Sequence, residues 1–365
     1  MFNSVYKDKK VLITGHTGFK GSWLSVWLNN LGAKVFGLAL DPNCYPSNYK
    51  VCELNTLLER DLRLDVTQES ELKKAIHDIK PDFIFHLAAQ ALVKDSYENP
   101  VATMITNSIG TANLLNAIRD MDSRITAILI TSDKCYDNIE WLWGYKETDR
   151  LGGKDPYSAS KAMTEIAISS FVASYFPSEG NVRVGIGRAG NVIGGGDWSP
   201  DRIIPDCVKA WAIGETVDIR SPKATRPWQH VLEPLSGYLK LGCELDGSKV
   251  HHGEAFNFGP AASSNFSVEQ LIDKMSNSWE SVSWNDTSSE AGHFHEAGLL
   301  RLNCEKAQTV LDWHPVMDFS ETVQMTSIWF KRFYETLSPR MLDITTNQIE
   351  QYTNLAAIRG HSWIR

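Results

Sequence analysis

Short apolar, β-branched runs alternate along the first half of the chain with longer stretches in which apolar positions recur every three or four residues. The runs are Val11–Thr14, Val35–Leu40, Phe83–Ala88, Ile125–Thr131 and Val182–Arg188. Helical periodicity is clearest from Phe19 to about Leu31 and from Tyr157 to about Phe176. This alternation predicts an α/β protein, a doubly wound parallel sheet with helices on both faces. Leu62-Arg63-Leu64 fits a further short strand, and Glu254–Gly259 fits a late strand returning to the sheet. After Arg188 the character changes to Gly194-Gly195-Gly196-Asp197-Trp198 and a loop rich in Pro, Arg and Trp. Ser267-Val268-Glu269-Gln270 reads as a capping box opening another helix.

In such sheets ligands sit at the carboxyl ends of strands, and the chemistry-bearing residues fall there. Gly15-His16-Thr17-Gly18-Phe19-Lys20-Gly21 follows the first run and opens a helical pattern. Glycines at this spacing allow a tight turn and close approach of the backbone to a pyrophosphate, which meets the positive end of the helix. Asp41 closes the second run, where an acidic residue binds an adenosine ribose 2′-hydroxyl and repels a 2′-phosphate, so NAD is favoured over NADP. Asp65 and Val66 fit the adenine edge, with an ordinary turn Asp as the alternative, and Leu87, Ala88 and Ala89 follow another strand. The expected organisation is an NAD-binding Rossmann domain over 1–190 with a returning segment at about 228–260, a smaller discontinuous α/β substrate lobe over 191–227 and 261–345, and a C-terminal tail over 346–365.

Composition narrows the partners. The 365 residues carry a formal charge of −8, and no long basic run stands out, which argues against nucleic acid or an anionic membrane surface. An anionic substrate must be met locally. The six cysteines form no Cys-x-x-Cys pair or metal-type cluster, so no metal is expected. The start of the chain is polar and lysine-rich, and no apolar stretch approaches a bilayer span; a reducing cytoplasm is expected.

Tyr157 and Lys161 stand four apart in a helical segment and share a face. A phenol is a poor base at neutral pH, but a neighbouring ammonium favours the phenolate. Tyr157 then takes a proton from a sugar hydroxyl as hydride leaves the same carbon, with Ser132 hydrogen-bonded to that oxygen.

The glycine turn, the strand-end Ser132-Asp133-Lys134, Tyr157-x-x-x-Lys161 and the later Arg226-Pro227-Trp228-Gln229-His230-Val231 together resemble the extended short-chain dehydrogenase/reductase family across nearly the whole chain. Gly-His-Thr-Gly-Phe-Lys-Gly-Ser-Trp-Leu at 15–24, Thr-Ser-Asp-Lys-Cys-Tyr at 131–136 and His295-Glu296-Ala297 narrow the resemblance to its nucleotide-sugar 4,6-dehydratases, with CDP-glucose as the implied substrate. The resemblance implies oxidation of glucose C4 by NAD, loss of water across C5 and C6, and return of hydride to C6, an early step towards deoxysugars of surface polysaccharide such as O-antigen. It also implies a homodimer or homotetramer, the dimer formed through two helices per subunit, beginning near Pro100 and Tyr157. Asp133 matches the acid for the 6-hydroxyl, whereas Lys134 stands where related dTDP-glucose enzymes carry a glutamate base. Lys134 is then either the C5 base or an enolate stabiliser, with Tyr136 or another group moving the proton.

His16 and Lys20 replace small or apolar residues of relatives and are candidates for the pyrophosphate or adenosine side. Asn191, Arg202 and Arg226 match places where relatives hold the sugar nucleotide. The later lobe offers His293, His295 and Arg301 for a second phosphate contact, His295 being taken as substrate-facing. The alternatives are a dehydratase for another nucleotide glucose, a sugar-nucleotide 4-epimerase, which has no use for an acid at the 6-hydroxyl, and a non-catalytic NAD-sensing protein.

Overall fold

A computed structural model describes the chain except for residues 262–263, 280–281, 289–298 and 337–338. The strands β1 (Lys10–Thr14), β2 (Lys34–Ala39), β3 (Arg60–Arg63), β4 (Phe83–His86), β5 (Ile125–Ile130), β6 (Val182–Arg188) and β7 (Ala255–Asn257) build one sheet. Its order is β7-β6-β5-β4-β1-β2-β3 and every neighbouring pair is parallel. Every residue of β4 and β5 is buried, as a strand covered on both faces requires. β1 lies between β2 and β4, so the chain reverses its winding there and opens a crevice at the carboxyl ends of β1 and β4.

The helices that matter to this crevice are α1 (Phe19–Asn30), α2 (Glu69–Ile79), α3 (Gly110–Arg119), α4 (Pro156–Tyr175), α5 (Ile203–Ala212), α6 (Leu232–Gly247), α7 (Val268–Ser276), α8 (Phe319–Glu335) and α9 (Met341–Ile358). α2, α3 and α4 cover one face around Leu72, Leu114, Leu115 and Ile168. α1, α6, α8 and α9 cover the other in a larger, tryptophan-rich core. α4 starts at Asp155, whose carboxylate accepts the Ser158 N–H, with Pro156 in the first turn. The expected capping box at Ser267 and Gln270 forms and starts α7.

The segment set apart as a C-terminal tail belongs to a helix that begins at Met341 and lies along α1. Thr345 Oγ1 accepts the Trp329 indole N–H at 3.0 Å, and Tyr352 packs edge-on against Trp27 of α1. Buried Glu233 of α6 accepts the Val316 and Met317 N–H groups and the Tyr352 hydroxyl, tying α9 to the sheet side. Burial raises its carboxyl pKa to about 7. Trp363 stacks on Phe2, so the two ends of the chain close over α1.

Candidate active site

The turn after β1 is built at distances that exclude side chains. Gly15 has φ +77°, and a Cβ there would stand 2.7 Å from the Ala88 nitrogen, while a Cβ on Gly21 would stand 2.2 Å from the Gly15 oxygen. Gly18 is exposed and precedes α1 without a side-chain cap. The first N–H groups and the positive end of α1 are thus offered to an anion, and these residues fit the pyrophosphate of a dinucleotide. Leu87, Ala88 and Ala89 leave β4 half-buried beside the turn. Thr14 Oγ1 ties them down, accepting the Ala88 N–H and pairing with His86 Nδ1 at 2.7 Å. Burial holds His86 neutral, with its pKa lowered to about 3.

At the far side of the crevice the side chains are arranged differently from the expectation. Asp41 follows β2 with its carboxylate 81% exposed, and it accepts Arg63 Nε at 2.8 Å. His16 is wholly buried, its ring under Gly37 of β2 and its Nε2 2.8 Å from Asp61 Oδ1. It therefore points beneath the sheet edge rather than at the pyrophosphate turn, and burial lowers its pKa. Asp65 accepts the Thr67 N–H in an ordinary Asx turn, and Val66 is buried where α3 begins, against Gly110.

Strand β5 delivers the reactive cluster. Ser132 Oγ donates to Asp133 Oδ1 at 2.9 Å and accepts the Lys134 N–H, which closes a single helical turn, Asp133–Cys135. Asp133 lies against the Gly190 backbone, where a Cβ would come within 1.9 Å of its Oδ2. Tyr157, in the first turn of α4, is buried and hydrogen-bonded to Ser132. Burial pushes the phenol up to about 12, opposed by the Ser132 bond. Lys161 lies one turn on, its Nζ 6.0 Å from the Tyr157 ring centre. Burial pulls its ammonium down to about 8 against the charge of Glu165. Lys20 faces this cluster rather than the adenosine side: burial and the Arg202 charge lower it to about 8, and Asp133, Lys161 and Asp197 are its other charged neighbours. Lys134 is half-buried on the same turn.

A buried network underlies the cluster. Arg188 of β6 pairs with Glu165 of α4 through two bonds of 2.8 and 2.9 Å and donates to the Tyr136 hydroxyl, which donates in turn to Asn257 of β7. Burial holds the Tyr136 phenol far above its usual range. Tyr136 is therefore a structural link, which removes it as the proton carrier considered above.

Asp133 lines a pocket with Gly190, Gln229, Gly259, Ser264 and Arg301. Of the expected substrate residues, Asn191 follows Gly190 with φ +48° and accepts the Gln229 N–H on its carbonyl. Arg202 is paired with buried Asp197 at 2.8 Å and extends its charge to Tyr157 and Lys20. Arg226 donates to the Thr225 carbonyl, and the pocket wall is made by its neighbours Pro227 and Gln229 instead. His293 and His295 lie outside the described residues. Gln229, within Arg-Pro-Trp-Gln-His-Val, also shapes the pocket: its amide donates to the Gly190 and Phe258 carbonyls. Among the described residues no group of three His, Cys, Asp or Glu side chains is placed to hold a metal ion, and no helix is long and apolar enough to cross a membrane.

Residues 12–326 match the family model described as GDP-mannose 4,6 dehydratase. A CDP-glucose 4,6-dehydratase of Salmonella typhimurium is 43% identical over 352 residues, which cover 95% of this chain and 97% of that protein. A UDP-glucose 4-epimerase of Mycoplasma pneumoniae is 24% identical over 90% of this chain and 98% of its own. Among solved structures, a dTDP-glucose 4,6-dehydratase from Bacillus anthracis in complex with NAD superposes with a TM-score of 0.72 at 20% identity, covering 90% of this chain and 98% of the other. The dTDP-glucose 4,6-dehydratase of Streptomyces venezuelae with NAD bound gives 0.72 at 22% identity, covering 89% and 98%.

Proposed function

The chain belongs to the GDP-mannose 4,6-dehydratase family of extended short-chain dehydrogenase/reductases, and from that premise we propose that it is an NAD-dependent lyase converting CDP-glucose to CDP-4-dehydro-6-deoxyglucose and water. The observation that carries the reaction type is the single turn that sets Asp133 and Lys134 beside Ser132 and Tyr157. Exchange of configuration at C4 alone gives a carboxyl group there nothing to protonate. The choice of cytidine rests on the relative that is 43% identical over nearly the full length.

Bound NAD supplies the chemistry of hydride, taken from C4 and returned at C6. The side chains supply the protons. Tyr157 accepts the proton of the C4 hydroxyl, and Ser132 holds the same oxygen by hydrogen bonding. Burial raises the Tyr157 phenol, and its hydrogen bond with Ser132 opposes that rise. The Lys161 charge one turn away stabilises the phenolate as it forms. The new C4 ketone acidifies the C5 proton, which Lys134 is placed to accept and to return to C5 as hydride reaches C6, while Asp133 protonates the departing 6-hydroxyl. Gly15, Gly18 and Gly21 hold the dinucleotide diphosphate.

The same reading includes a homodimer. Val101, Ile105 and Ile109 are exposed on the segment leading into α3, and Met163 and Ile166 are exposed on α4, which packs beside it. Such an apolar face fits a second copy of itself. A cytoplasmic setting is supported by six cysteines that are all free thiols.

Incubation with a panel of nucleotide glucoses and NAD, followed by mass spectrometry, tests the function. CDP-glucose should lose one water and the other nucleotides should react far more slowly. A C4 epimer of unchanged mass would instead establish an epimerase.

A further inference from the structure

Asn257 closes β7 as a fully buried polar side chain, and both polar atoms of its amide are engaged. Nδ2 donates to the Tyr145 carbonyl at 2.9 Å and to the Asn303 carbonyl at 3.0 Å, which leaves Oδ1 to accept the Tyr136 hydroxyl at 2.8 Å. The Asn257 backbone N–H donates to Glu147 Oε1 at 2.8 Å. Its partners flank the chemistry. Tyr136 leaves the turn that displays Asp133 and Lys134, and its ring stacks on Tyr145 at 5.1 Å. Tyr145 in turn donates its N–H to the Arg301 carbonyl at 2.8 Å and accepts the Asn303 N–H at 2.9 Å. Leu300, Arg301 and Leu302 line the pocket to which Asp133 contributes. One buried amide thus ties the turn that holds the acid to a wall of the same pocket.

The rest of the network runs elsewhere. Arg188 Nη1 donates to the Tyr136 hydroxyl at 2.7 Å, but Nε and Nη2 of Arg188 pair with Glu165 of α4, whose carboxylate also accepts the Thr131 hydroxyl. That pairing holds the helix of Tyr157 and Lys161 without passing through Asn257. We infer that Asn257 is a positioning residue for the elimination of water. Through the Tyr136 hydroxyl it fixes where the Asp133–Lys134 turn stands against the wall at 300–302, and it leaves the C4 chemistry of Tyr157 and Lys161 untouched. Elimination depends closely on that placement. The electron pair of the C5–H bond forms the C5=C6 bond and the C6–O pair leaves with the oxygen, so one short turn must take a proton at C5 and give one at the 6-oxygen. A displacement of about 1 Å costs on the order of a hundredfold in such a step. The inference rests on the dehydratase reading of the site.

Rapid quench of Asn257→Ala with CDP-glucose and NAD, following reduced cofactor and water loss together, tests it. Water loss should slow by about ten- to a hundredfold while C4 oxidation stays within about threefold of the unaltered rate. Tyr136→Phe cuts the same link from the other side and keeps the ring on Tyr145, so it should show the same split and gives a second reading should Asn257→Ala fold poorly. The double variant should be no slower in water loss than the slower single variant, because both remove one connection. Equal slowing of oxidation and water loss would reduce Asn257 to a structural residue and overturn the inference. Unchanged water loss, or additive effects in the double variant, would also overturn it. All three results leave the dehydratase reading standing. Failure of the unaltered protein to release water from any nucleotide glucose would overturn that reading and the inference together.

Discussion

Tyr157 and Lys161 are both pushed towards neutrality by burial, the phenol up to about 12 and the ammonium down to about 8. The Ser132 hydroxyl, by contrast, favours the phenolate. The base of the first step is thus a group whose ionisation burial opposes and whose neighbours Ser132 and Lys161 favour. Tyr157→Phe removes that oxygen and little packing, so the variant should fold and bind dinucleotide normally while C4 oxidation falls by about 10²- to 10⁴-fold. Single-turnover absorbance of the reduced cofactor measures this, and an unchanged rate would assign the base elsewhere. The strand-end triplet and the Tyr-Lys pair are legible because their spacing is local. The direction of His16 is not, since Gly37 of β2 and Asp61 of β3 decide it. Tyr136 likewise takes its role from Arg188 and Asn257, residues far along the chain.

Among the elements, the central strands are readable because a strand buried on both faces is a continuous apolar run. The short strand near Leu62 lies at the sheet edge as Arg60–Arg63, where charged residues interrupt the apolar signal. The role of α9 is hidden in the sequence for a different reason. Its partners Trp27 and Glu233 are remote, and its packing against α1 appears only when the ends of the chain meet. The exposed apolar face of α4 and the segment before α3 carries a prediction at this scale. Ile105, Ile109 and Ile166 are exposed within one subunit, so Ile105→Glu with Ile166→Glu should give a folded monomer. Sedimentation of both proteins decides it; an unaltered protein already at monomer mass would contradict the dimer.

For the whole molecule, the sheet order matters more than any one helix. Placing β1 between β2 and β4 opens the crevice at the glycine turn, and β5 brings Ser132 and Asp133 to the same end of the sheet. β6 and the segment after it carry Gly190 against Asp133, and Gln229 and Arg301 complete the wall. One pocket is thereby supplied by distant parts of the chain, from Asp133 to Leu302, and the proposed chemistry divides beside it. Tyr157, Lys161 and Ser132 serve C4, while Asp133 and Lys134 serve C5 and C6. The most direct test is rapid quench of Asp133→Asn with CDP-glucose and NAD, following reduced cofactor and water loss in the same samples. The carboxamide keeps the shape against Gly190 but has no carboxyl proton to give. The account predicts that reduced cofactor and 4-ketoglucose accumulate at close to the unaltered rate while water loss slows by about a hundredfold or more. Simultaneous loss of both steps would contradict the division of labour, because Asp133 would then be needed for oxidation as well.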